Sequence, residues 1–292
     1  MPLGGPAGRQ GRGMMPTTEH ETLEARFQRI AASLPDEVLS GDDLEGALAR
    51  FGRGDDRLLG FYTREGVHTA LETYGILETL RGRGYVGFEV EFDLQPYHHG
   101  LRVRADGDVI CECRLRRARG ATDPCIAELQ RRFLPELLVV DWLHLSEPRG
   151  QFTAERPRLP GQLQPGSGVG VEVFLILVIC ARRLGLHGLV ETPERFHNAV
   201  LYRERTHFID PAWEGTFEAL SALLQTRSLA EVAWAMEEGR VVDALTGAPI
   251  RWLAREQLLP LDERLSDYFE LPAWRRERSA ARHRCHPVIR DP

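Results

Sequence analysis

The sequence predicts an α+β fold: a mixed β-sheet with an antiparallel meander, a glycine-rich loop before a buried helix, and helical extensions at both ends. Three observations carry that expectation. In Phe88-Glu89-Val90-Glu91-Phe92-Asp93-Leu94 apolar and acidic residues alternate strictly, the period of a half-buried strand. The stretch Pro160-Gly161-Gln162-Leu163-Gln164-Pro165-Gly166-Ser167-Gly168-Val169-Gly170 is too rich in glycine and proline for regular structure. Behind it, residues 171 to 184 form one apolar run, longer than most strands and shorter than the ~20 residues of a membrane span.

Taken in order, residues 1 to 17 hold glycine, proline and arginine without periodicity and read as disordered. Residues 18 to 60 form a helical extension, with one amphipathic helix over 18 to 34, closed by Pro35, and a shorter one over 42 to 51. Residues 61 to 215 are the core. Thr63 caps a helix whose apolar face is Val67, Ala70, Leu71, Tyr74, Leu77 and Leu80. After the alternating strand comes a second strand over 101 to 105, and Asp106-Gly107 signals a two-residue hairpin. The partner strand puts Val109, Cys111, Cys113 and Leu115 on one face. A helix is expected near 126 to 133. Residues 137 to 145 are apolar on both faces and therefore a central strand, with Asp141 and His144 standing out in it.

The apolar run after the loop reads as a helix because Arg182 and Arg183 suit the negative end of a helix dipole and Gly185 can supply a left-handed C′ residue. A strand over 188 to 191, a short helix, and a last strand near 206 to 209 complete the core. Residues 216 to 272 add a helix over 216 to 224, a second opened by the capping box Ser228-Leu229-Ala230-Glu231, and a hairpin pairing 241–245 with 250–253 around Thr246-Gly247. Residues 273 to 292 are a basic tail with Trp274, Arg275, Arg276, Arg278, Arg282, Arg284 and Arg290. It reads either as a solvated tail or as a contact for a protein partner or nucleic acid.

Composition excludes several classes. A net charge of −6 over 292 residues does not fit a surface built throughout for nucleic acid. All 37 basic residues are arginine, so neither a Schiff-base lysine nor a P-loop lysine is available. The 5 cysteines lack the spacing of a disulfide framework, and no apolar secretion segment precedes the first helix, so the expected compartment is the cytoplasm, with no membrane contact. Cys111 and Cys113 with His283, Cys285 and His286 could be read as zinc ligands, but the spacing favours small buried hydrophobes and no metal is expected. Ser167 lacks the flanking glycines of a nucleophile elbow, since Pro165 and Val169 stand two residues away.

The loop itself reads as a cradle for a phosphorylated group. Glycines let backbone N–H groups approach an anion, and the helix behind adds unpaired N–H groups and the positive end of its dipole. The order of elements, the glycines of Gly166-Ser167-Gly168-Val169-Gly170, and the phrase His197-Asn198-Ala199-Val200-Leu201-Tyr202 resemble the GNAT-type acyl-CoA N-acyltransferases. The resemblance covers roughly half the chain, residues 63 to 211, with Phe208 near the position of the family's closing Gly-Phe.

That resemblance implies transfer of an acyl group, acetyl first among them, from acetyl-CoA or another acyl-CoA to an amine on a small molecule or protein. It implies coenzyme contacts from Gly166, Ser167, Gly168, Val169, Gly170 and Asn198. Tyr202 takes the place of the acid that protonates the leaving thiolate. Asp141 and Glu147, on or just after the central strand, are the base candidates, and His197 either acts in the chemistry or caps its helix. The alternative function is a non-catalytic binding or assembly module on the same fold.

Overall fold

The turn at Asp106 and Gly107 has both residues at positive φ, 51° and 85°, the conformation that lets a two-residue turn match the strand twist. It joins β2 (His99–Ala105) to β3 (Asp108–Arg119), and β1 (Phe88–Leu94) lies antiparallel to β2. The structure is a computed structural model that describes residues 21–41, 56–119 and 134–290. The expected disorder of residues 1 to 17 and the helices near 42 to 51 and 126 to 133 lie outside the described residues, as does Cys125.

β3 continues the meander to β4 (Glu136–Leu145), which pairs in parallel with β5 (Gly188–Glu191). A further strand, β8 (Gln257–Pro260), lies antiparallel between β5 and β6 (His207–Phe208). The 7-stranded mixed sheet therefore runs β1-β2-β3-β4-β5-β8-β6. β8 was not expected from the sequence, because its apolar residues are too few to give a period.

Two β-bulges shape the sheet. Val103 and Arg104 face Cys111 and Val109, so Ile110 is the extra residue and is buried. The expectation that Val109 shares a face with Cys111 is thereby corrected. Arg114 and Leu115 face Trp142 and Val140, so Asp141 is the extra residue of β4. β4 and β5 pair only from Leu137–Gly188 to Val140–Glu191, and beyond that bulge β4 runs on without β5 beside it.

One face of the sheet is covered by α1 (Leu23–Ser33), α2 (Asp36–Ser40), α3 (Arg64–Thr73), α4 (Ile76–Arg81) and α5 (Gly170–Arg183). Phe27, Leu77, Leu80, Leu115, Leu138 and Phe174 are buried in the cluster between them. α3 and α4 replace the single helix expected there. Gly75 at φ +81° interrupts it, a conformation that an L side chain rarely adopts. α5 is a helix as expected, closed by Gly185 at φ +66° with the Leu186 N–H donating to the Ala181 carbonyl.

The remainder comprises α6 (Phe196–Tyr202), α7 (Pro211–Ser221) running into a 3₁₀ turn (Ala222–Gln225), α8 (Leu229–Glu237), α9 (Glu263–Glu270) and α10 (Pro272–Arg284). The capping box at Ser228 forms with both hydrogen bonds. The turn expected at Thr246-Gly247 forms, with the Asp243 N–H donating to the Ala248 carbonyl, the Ile250 N–H to the Val241 carbonyl, and Val242 bridged to Pro249, but residues 250–253 form no strand, and β7 (Val241–Asp243) has its ladder with β9 (Pro287–Ile289).

The C-terminal segment is also not a solvated tail. Trp274 is buried, and its indole N–H and the Tyr268 hydroxyl both donate to the Ile209 carbonyl at 3.1 Å. Arg278 and Arg282 lie 3.7 and 3.8 Å from Glu218, and Arg275 and Arg284 pair with Glu270 and Glu277. Much of the basic charge is thus met inside the chain. Among the described residues no helix is long and apolar enough to cross a membrane.

α7 and α10 approach closely at Gly215, where an added Cβ would meet the Arg278 carbonyl at 2.1 Å. Both partners there are helical backbone and neither can yield. Gly215→Ala is therefore expected to destabilise the protein by about 1–3 kcal/mol. Urea unfolding should record it as a lower midpoint with unchanged slope.

Candidate functional site

The loop ahead of α5 is held from behind at three successive peptides. The Glu147 N–H donates to the Pro165 carbonyl at 2.8 Å, Arg156 donates to the Gly166 carbonyl, and Arg83 to the Ser167 carbonyl. In a trans peptide the N–H points opposite to its carbonyl. The N–H groups of Gly166, Ser167 and Gly168 are therefore turned away from these three groups, and none of them has a hydrogen-bond partner among the described residues.

Gly168 is exposed and left-handed, at φ +65°, and a Cβ there would lie 3.0 Å from the Arg83 guanidinium. Val169 is the N-cap of α5, and no side chain caps the helix. The first turn accordingly adds unpaired donors and the positive dipole end to those of the loop. Ser167 is fully buried, and its hydroxyl has no partner among the described residues.

Glu147 is the brace of this arrangement. Its side chain is 13% exposed and lies 3.4 Å from both Arg83 and Arg156, tying the two guanidinium groups that grip the loop. Asp141, on the bulge of β4, accepts from the Arg116 Nε at 3.0 Å. Both sequence candidates for a base are thus already engaged by arginine.

Tyr202 is brought to the loop. Its ring stacks on Phe174 at 4.4 Å, and its hydroxyl is 3.9 Å from the point where a side chain at Gly170 would begin. Burial, with the neighbouring Glu191 and Cys113, pushes that hydroxyl above its ordinary pKa, so it keeps its proton at neutral pH. Asn198 is exposed on α6. His197 is buried in the first turn of α6 with its Nδ1 unpartnered, and burial with Arg195 nearby pulls its pKa down to about 4. It does not cap the helix, because the N-cap is Arg195.

The carboxylate that sequence reading missed is Glu191. It ends β5 where β4 departs, and strand alternation puts it on the face of Leu189, which looks toward α5. Its Oε1 is buried without a partner, and burial pushes the carboxyl up to about 8. Gln257, opposite it on β8, is fully buried with both side-chain amide atoms unpartnered. An unsatisfied carboxyl, an unsatisfied amide and a protonated phenol thus gather where the strands part.

No family model matches the chain, and no curated protein matches it. The site therefore rests on its geometry. One signal for Glu191 was present in the sequence: it is the only polar residue of Gly188-Leu189-Val190-Glu191, at the carboxyl end of a parallel strand, where ligands of α/β sheets gather. Arg83 and Arg156 carried no such signal. Cys113 is buried in the core and Cys111 half-buried beside it, and among the described residues no cluster of three His, Cys, Asp or Glu side chains could hold a metal ion.

The Glu191 carboxyl holds its proton in the folded protein at pH values where the unfolded chain has lost it. Its contribution to stability is thus complete below the ordinary carboxylate range and is lost as pH rises toward about 8. Glu191→Gln removes that loss. The melting temperature of Glu191→Gln relative to the parent should rise between pH 5 and pH 8, and a difference that stays flat with pH would show that the carboxyl is not held protonated.

Proposed function

We propose that the protein is an acyl-CoA-dependent N-acyltransferase, carrying an acyl group from a coenzyme A thioester to an amine, with the sheet and loop serving as a diverged version of the GNAT arrangement. The observation that carries the reading is the meeting, at Gly170, of the unpaired loop amides, the uncapped start of α5 and the Tyr202 hydroxyl. A pyrophosphate fits the amides, and a thioester fits beside the phenol.

The parted strands supply the rest. Beyond Val140 the β5-facing edge of β4 has lost its ladder partner, which leaves backbone groups for an extended pantetheine arm or an acyl carbonyl. In this reading Glu191 takes a proton from the amine, whose nitrogen forms the new bond to the thioester carbonyl carbon. The C–S bond then breaks, and Tyr202 gives its proton to the departing sulfur. A carboxyl raised to about 8 serves as a base only once it is ionised, and a phenol raised by burial serves as an acid throughout. Glu147 and Asp141 stay in their ion pairs and act by shape.

Calorimetric titration with acetyl-CoA tests the cradle. Gly168→Val should lose binding while remaining folded, since a branched side chain strains the left-handed residue and pushes on the Arg83 guanidinium that fixes the loop peptides. Unchanged affinity in that variant would remove the loop from the site. Thiol release with a panel of amines tests the chemistry: Tyr202→Phe should keep the parent's affinity for acetyl-CoA and lose about 10² to 10⁴ in rate. If the parent binds the coenzyme but releases no thiol with any amine, the non-catalytic binding module replaces the enzyme.

A further inference from the structure

Between the helices α3, α4, α5 and the strands β2 and β3 lies a cavity of about 100 Å³. Its walls are apolar almost throughout, with Ala70 on α3, Cys113 on β3 and Ile176 on α5 among them. One end reaches Leu145, where β4 stops, and Val169, the N-cap of α5. The Leu145 Cδ1 is 3.8 Å from the point where a Gly170 side chain would begin, and the Tyr202 hydroxyl is 3.9 Å from that same point. The other end is closed by Leu39 and Leu58 of the N-terminal extension and by Tyr62 just after it, with Arg183 beside them.

Apolar cavities of this kind stay dry and take apolar guests. Close packing is the rule in protein interiors, so a void of this size between two well-formed layers is itself a feature to be explained. We infer that it receives the hydrocarbon chain of a medium-chain acyl thioester, so that the natural donor carries an acyl group longer than acetyl. This inference rests on the acyl-transfer reading above. It also accounts for the N-terminal helices, which close the far end of the pocket for the hydrocarbon chain. A thioester carbonyl lying against Tyr202 has its alkyl chain directed past Leu145 into the cavity, while the coenzyme extends to the loop amides on the other side of the sulfur. Of the polar side chains that line the cavity, Tyr62 has its hydroxyl hydrogen-bonded to Cys180 and Arg183 lies 3.4 Å from Asp36, so no charge of the guest is called for there.

The test is a binding series measured on the full chain by calorimetry with acetyl-, hexanoyl- and decanoyl-CoA, and with decanoate as a probe that lacks the coenzyme. Affinity should rise about four-fold for each methylene that enters the cavity, the ratio that ~0.8 kcal/mol per buried CH₂ gives. Ala70→Phe, which fills the cavity from the α3 wall, should cancel that rise and leave acetyl-CoA binding unchanged. Ile176→Phe, narrowing it from α5, stands in if Ala70→Phe does not fold by its circular dichroism and melting curve. An affinity independent of chain length in the parent, or a chain-length rise that survives in the folded cavity-filled variant, overturns the inference and leaves the coenzyme reading standing. Decanoate binding that Ala70→Phe abolishes, with the coenzyme esters binding no better than the free acid, upholds the cavity and removes the coenzyme.

Discussion

Three carbonyls turned the same way govern the site. Because Pro165, Gly166 and Ser167 give their oxygens to Glu147, Arg156 and Arg83, the peptide planes of the loop are fixed, and with them the direction of its N–H groups. The arginines cannot hold that position alone, since two guanidinium groups side by side repel. Glu147 between them, 3.4 Å from each, offsets the repulsion and makes the pair one unit. Gly168 is the residue that lets the chain turn from this clamp into α5, because its φ of +65° is open to glycine at little cost.

A second constraint comes from the sheet. A parallel pair of strands that stayed zipped would leave no space between the loop and the body of the protein. The Asp141 bulge ends the β4–β5 ladder after Val140 and Glu191, and Arg116 anchors the bulged residue on the far side. Glu191 thus stands at the point where the two strands part, with its Oε1 buried. Burial of its Oε1 without a partner among the described residues carries a cost in stability. Tyr202 is held beside the loop by its stack on Phe174, a residue of α5 itself.

Much of this was legible in the sequence where local chemistry decides the outcome. The alternation of Phe88–Leu94, the Asp106-Gly107 turn, the end of α5 at Gly185 and the Ser228 capping box depend on residues within a few positions of one another, and each forms as expected. Tyr202 was reached through its phrase and lies at the loop. What failed depends on partners far away in the chain. β7 took β9 as a second partner beside its local turn, β8 inserted beside β5, and the basic segment folded onto α7 through Gly215. The bulges at Ile110 and Asp141 likewise arise from pairing, not composition. Glu147 follows the central strand, which made it a base candidate, and it is found in an ion pair. Its partner Arg83 lies 64 residues earlier, which no local pattern reveals.

The central claim is that the amides of Gly166, Ser167 and Gly168 point at a bound pyrophosphate. Amide chemical shifts of the full chain, followed by NMR during titration with coenzyme A and separately with pantetheine, address it residue by residue. Those three N–H resonances, with those of Gly170 and Val171 at the start of α5, should move with coenzyme A and stay in place with pantetheine, which has no pyrophosphate. Movement confined to other parts of the molecule, or the same movement with both compounds, would contradict it.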